Sequence, residues 1–162
     1  MQITTDTLAA QPFLKGMSPE HLTLLMGDAM PVEFTPDEII FDEGGVANRF
    51  YLIRSGKVAL HSPTDPEHEP IAIETIEAGS VLGWSWLFPP YTWHFDARAI
   101  TPVNAIFFYG TRLREQCEAD HELGYELMKR VSAVVVERLQ ATRCRLAEQA
   151  KRLLVPSDLN DV

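Results

Sequence analysis

The 162 residues predict an α+β, mainly β fold: a double-stranded β-helix or jelly-roll barrel between an N-terminal helix and a long C-terminal dimerisation helix. Three observations carry this. Residues 32–108 break into short β-rich runs punctuated by glycine, proline and polar turns. Ser18-Pro19 before them opens a helix. After Gly110 the apolar spacing takes a helical period and holds it to about Leu154.

The length suits one domain with a sizeable core, so 1–162 is read as a single domain. It comprises a helical segment at 1–31, a jelly roll at 32–110 with a glycine-turn cassette at 79–99, and helices at 111–155. In the first part Ser18 caps, Pro19 fits the first turn, and His21 stands where a capping box would place Glu. Leu22, Leu24, Leu25 and Met26 supply the apolar face, and Pro31 stops the helix.

The predicted strands are Val32–Phe34, Ile39–Phe41, Phe50–Ile53, Val58–His61, Ile71–Ile76, Val81–Leu82, Trp93–Ala99 and Val103–Phe108. Ser55-Gly56 reads as a tight hairpin turn that needs positive φ, and Pro63–Pro70 as a polar hairpin tip. Alternation over Trp93, Phe95, Ala97 and Ala99 puts those side chains inward. Arg98 then faces out, toward Asp96 or another acid.

Thr111–Glu118 forms a short helix, and Asp120 caps the long one, which Pro156 ends. On the long helix Met128, Ser132, Val135, Leu139, Thr142, Leu146, Gln149 and Leu153 recur in steps of four and three, a heptad seam. Leu127, Val131 and Val134 form a second stripe. Two stripes predict two packing surfaces, one on the jelly roll and one on a partner helix in a parallel homodimer.

The charge of −9 opposes nucleic-acid binding, which depends on neutralising phosphates. Cys117 and Cys144 have neither metal nor redox spacing and point to a reducing, cytoplasmic setting. The N-terminus lacks the layout of a signal peptide, and no apolar run suggests a membrane span. His61, His68 and His94 are isolated and His21 and His121 lie on helical segments, so no metal site, cofactor or catalytic triad is expected and the chain is read as no enzyme.

Phe34-x-Pro36-x-Glu38-x-Ile40-Phe41-x-Glu43-Gly44, Phe50-Tyr51-Leu52-Ile53-Arg54-Ser55-Gly56-Lys57-Val58, Gly79-x-Val81-Leu82-Gly83 and Arg138-Leu139-Gln140-Ala141-Thr142 stand in an instructive order. Together they resemble the cyclic nucleotide-binding domain of the catabolite-activator (Crp/Fnr-like) type, over roughly 12–154. The resemblance implies a glutamate for the ribose hydroxyl after the second cassette glycine and an arginine for the cyclic phosphate at the start of the next strand. Trp84 and Trp93 occupy those two positions. An indole has one N–H donor and no charge, so it cannot replace a bidentate guanidinium.

Candidate ligand-binding residues are therefore Gly83, Trp84, Ser85, Trp86, Trp93, His94 and Thr142. The N–H groups of 84–86 would form an anion nest. The Ser85 hydroxyl, His94 beside the lost arginine, and the base-reading Thr142 would add polar contacts. Each also has a plainer role: Ser85 as a helix cap, His94 as a rim residue, Thr142 as a polar member of the seam. The three tryptophans are either packed core filling the old pocket or an aromatic cage.

The resulting expectation is a stand-alone, dimeric ligand-sensing regulatory module that signals to an effector protein, with cyclic-nucleotide specificity altered or lost. The alternative is a protein-interaction scaffold with a filled pocket. Transcription factors of the family carry a helix-turn-helix after the dimer helix. Only about eight residues follow Leu154, so no direct DNA binding is expected.

Overall fold

A strand reads as a continuous apolar run when both faces of its sheet are covered, and as an alternation when one face is wet. Both kinds occur here. A computed structural model of the chain describes residues 2–62 and 71–154. They form two compact units that divide between Gly124 and Tyr125.

The first unit holds β1 (Met30–Phe34), β2 (Ile39–Phe41), β3 (Arg49–Ser55), β4 (Lys57–Ser62), β5 (Ile71–Glu77), β6 (Val81–Leu82), β7 (Asp96–Ala99) and β8 (Val103–Tyr109). One sheet has the order β1-β8-β3-β6 and the other β2-β7-β4-β5, each antiparallel and open rather than closed into a barrel. Tyr51, Ile53 and Phe107 of the first sheet meet Val58, Leu60, Ala97 and Ala99 of the second in the main core. Each such large aliphatic side chain contributes about 1.5–3 kcal/mol on burial.

Strand β3 is buried from Phe50 through Ile53 because its sheet is covered twice. Phe50 points away from Tyr51, edge-on to Phe13 at 5.3 Å and near Trp86 at 5.7 Å. In β4 and β7, Val58, Leu60, Ala97 and Ala99 are buried while Arg98 is exposed, so the second sheet has a wet outer face. The predicted inward parity of Ala97 and Ala99 is what the fold displays.

Several expectations change. Helix α2 (Pro19–Met26) ends on Gly27, and Pro31 instead lies inside β1. That strand is at a sheet edge, where a missing N–H is tolerated. Leu22 and Leu25 are buried with His21, but Leu24 and Met26 are exposed. Two short N-terminal elements were not foreseen: α1 (Thr5–Ala9) and a 3₁₀ turn at Pro12–Leu14. The extended chain around Trp93 becomes a sheet strand only at Asp96. The predicted tip at 63–70 lies outside the described residues, although β4 and β5 pair as far as Ser62 and Ile71.

Ser55-Gly56 is not a hairpin turn. Strand β3 belongs to the first sheet and β4 to the second, so Gly56 is the corner where the chain changes sheets. Its φ is +94°, and a Cβ there would sit 2.2 Å from the Pro102 carbonyl oxygen. We expect Gly56→Ala to destabilise the fold by about 3 kcal/mol, from left-handed strain plus overpacking against backbone. Urea denaturation measures this; a loss below about 1 kcal/mol would show that the corner relaxes.

Helix α3 (Gly110–Ala119) follows β8 directly. Asp120 then caps α4 (His121–Leu154), its Oδ1 accepting from the Leu123 N–H at 3.1 Å. Buried His21 sits 3.6 Å from the other carboxylate oxygen of Asp120. Beyond Gly124, α4 supplies the described part of the second unit. Leu127 and Val131 are buried, whereas Met128, Leu139, Leu146 and Leu153 are exposed and Val135 half-buried.

Candidate functional site

The cassette begins where β6 ends. Gly83 adopts the left-handed conformation, φ 90° and ψ 52°, and turns the chain into a single 3₁₀ turn at Trp84–Leu87. The turn has no side-chain cap. Ser85 is buried, and its carbonyl accepts from the Phe88 N–H at 3.3 Å.

The three tryptophans take three different directions. Trp86 is fully buried against Phe50, on the outer side of the first sheet. Trp84 is half-buried, edge-on to Phe88 at 6.0 Å and 6.3 Å from the ring of exposed His94. Trp93 stacks flat on Phe41 at 3.8 Å, with 9° between the planes, and is only 6% exposed. These residues do not form a common cage.

Trp93 instead lies over the cassette glycine. A Cβ built on Gly83 would sit 2.7 Å and 2.8 Å from two carbons of the Trp93 six-membered ring. The main chain of Trp93 is held as well: its N–H donates to Gly45 at 2.9 Å and its carbonyl accepts from Gly44 at 2.8 Å. Thus the two glycine turns and the indole hold one another in place.

The sequence model of the family described as the cyclic nucleotide-binding domain matches residues 31–120. The chain belongs to this family. A CRP-like cAMP-activated global transcriptional regulator of Mycobacterium tuberculosis is 26% identical over 143 residues, 88% of this chain and 62% of that protein. The chain therefore spans less than two thirds of the curated relatives it matches. Among solved structures, a protein of Geobacter metallireducens GS-15 assigned to the cyclic nucleotide-binding proteins is 29% identical with a TM-score of 0.76. The match covers 85% of this chain and 98% of that one. The regulatory subunit of a cAMP-independent protein kinase A from Trypanosoma brucei shares the fold at 20% identity and a TM-score of 0.69, over 86% of this chain and 48% of that one.

Within this cyclic nucleotide-binding domain the cassette is tied to α3. Arg114 donates to the Trp86 carbonyl at 2.5 Å and stacks over Tyr91 at 4.2 Å. Gly110 is packed so closely that a Cβ would meet the Trp86 Cβ at 2.7 Å. Asn48 completes the junction, accepting from the N–H groups of Gly110 at 2.9 Å and Thr111 at 3.2 Å. Thr142 lies in the second unit, exposed, with its hydroxyl donating to the Arg138 carbonyl at 2.9 Å.

Arg98 faces out as expected but lacks the expected acidic partner. It is exposed, and no carboxylate among the described residues bridges it. Asp96 is engaged elsewhere, accepting from the Glu43 N–H at 2.7 Å. No three His, Cys, Asp or Glu side chains among the described residues gather as a metal-binding group, and no helix there is long and apolar enough to cross a membrane.

Sequence reasoning missed Arg49. It opens β3 two residues before Tyr51 and so shares the inward face with Tyr51 and Ile53. Its guanidinium lies over Phe107 at 4.7 Å and Tyr109 at 5.7 Å. Burial raises the pKa of the Tyr51 phenol, opposed by a hydrogen bond from Arg49. A cavity of about 190 Å³ adjoins them, lined also by Ile40, Phe41, Val46, Asn48 and Trp93.

Proposed function

We propose that this chain is a non-enzymatic regulatory module of the cyclic nucleotide-binding type whose nucleotide specificity has been altered or lost. One observation carries the reading: the Trp93 ring lies on Gly83, over the glycine turn that opens the cassette. An uncharged ring at that point offers no cation to a cyclic phosphate, and Trp84 offers no carboxylate to a ribose.

The output would be dimer geometry. The exposed row of Met128, Leu139, Leu146 and Leu153, with half-buried Val135, supports a homodimer through α4. Arg114 and Gly110 give a movement of the cassette a path to α3. An effector protein would read the result.

Calorimetric titration tests the specificity claim. Cyclic AMP and cyclic GMP are expected to give no saturable heat up to millimolar concentration. A dissociation constant in the micromolar range would overturn the reading. The scaffold alternative draws support from the same near-complete burial of Trp93, and it predicts silence toward every small ligand.

A further inference from the structure

Arg49, an exposed cation at the start of β3, stands beside a cavity. Among the described residues no carboxylate lies within 4.0 Å of the Arg49 guanidinium, which rests instead on the faces of Phe107 and Tyr109. Aromatic faces hold a guanidinium in place without neutralising it, so the N–H groups not bonded to Tyr51 can serve an anion. The neighbouring cavity sets the apolar side chains of Ile40, Phe41, Val46 and Trp93 beside the polar ones of Asn48, Arg49 and Tyr51. At about 190 Å³ the cavity is below the roughly 300–1,000 Å³ of ordinary ligand pockets, too small for a nucleotide and suited to a one-ring acid.

We propose that this cavity binds a small aromatic monocarboxylate, the carboxylate on Arg49 and the ring against Phe41 and Trp93. The proposal rests on the sensing reading above and names its ligand class. Planarity favours the fit twice: a carboxylate matches the guanidinium fork, and a flat ring matches the aromatic wall. Trp93 then plays two parts, covering the cassette glycine and forming part of the new site.

The test is titration of the full chain with benzoate and with benzamide, its uncharged isostere, followed by tryptophan fluorescence and calorimetry. Benzoate is expected to bind saturably and at least about tenfold more tightly than benzamide, the margin of one charge-assisted bond. Arg49→Met is expected to abolish that preference, and Arg49→Lys to keep part of it. Equal binding of the two probes by the wild-type chain, or a benzoate preference that survives in a folded Arg49→Met protein, overturns the proposal. No saturable response to benzoate also overturns it. The comparison of the two probes needs no variant, so it holds even if Arg49→Met unfolds. The broader reading stands or falls separately, on the cyclic AMP titration and the dimer mass.

Discussion

Replacing Trp84 by Glu and Trp93 by Arg together is expected to create cyclic AMP affinity where the wild-type chain has none measurable. The two changes supply the ribose carboxylate and the phosphate guanidinium that the family resemblance implies, and they lift the indole from Gly83. A hydrogen bond to a charged group contributes about 1.5–3 kcal/mol, so the pair is expected to improve binding by a hundredfold or more. The variant has a cost. Trp93 is 6% exposed and stacked on Phe41, and truncating a buried aromatic typically loses about 3–5 kcal/mol. A thermal melt therefore accompanies the binding assay. A folded double variant that still ignores cyclic AMP would show that something other than the two indoles closes the site.

Leu139→Asp and Leu146→Asp are each expected to convert the proposed dimer to monomer without unfolding the protein. Both side chains are more than half exposed in the single chain, 54% and 60%, so the fold does not depend on them. In the proposed parallel seam each would face its own copy. A buried, unpaired carboxylate there costs several kcal/mol, and the two copies repel. Light scattering should show half the wild-type mass at micromolar protein. An unchanged dimer mass would mean that the seam is not the interface.

The jelly roll was legible because its second sheet obeys a simple rule. Val58 and Leu60 alternate with Ala59 and His61, and Ala97 and Ala99 with Arg98, as a half-wet sheet requires. The helices from Thr111 onward were legible through their period and the Asp120 cap. Pro31 misled because its effect depends on position: it breaks a helix, yet an edge strand accepts it. Gly56 was rightly assigned positive φ, but local sequence does not say which sheet receives the next strand. Helix α1 escaped notice because Thr7, not Glu or Gln, completes its capping box with Thr4.

The candidate site was half legible. Position counting against the family resemblance points to Trp84 and Trp93 as the substituted positions. It did not reveal that Trp93 covers Gly83 while Trp86 packs on the opposite side of the sheet, because both facts arise from tertiary packing. Arg49 lies one residue before the predicted start of β3 at Phe50. Parity with Tyr51 and Ile53, carried one step further back, would have placed it inward.

The central claim is that an indole has taken the place of the phosphate-binding cation. Its most direct test is the calorimetric titration of wild-type protein with cyclic AMP, run beside the Trp84→Glu, Trp93→Arg variant. A flat wild-type isotherm at millimolar nucleotide, with saturation only in the variant, is the predicted result. Micromolar binding by the wild-type chain would contradict it.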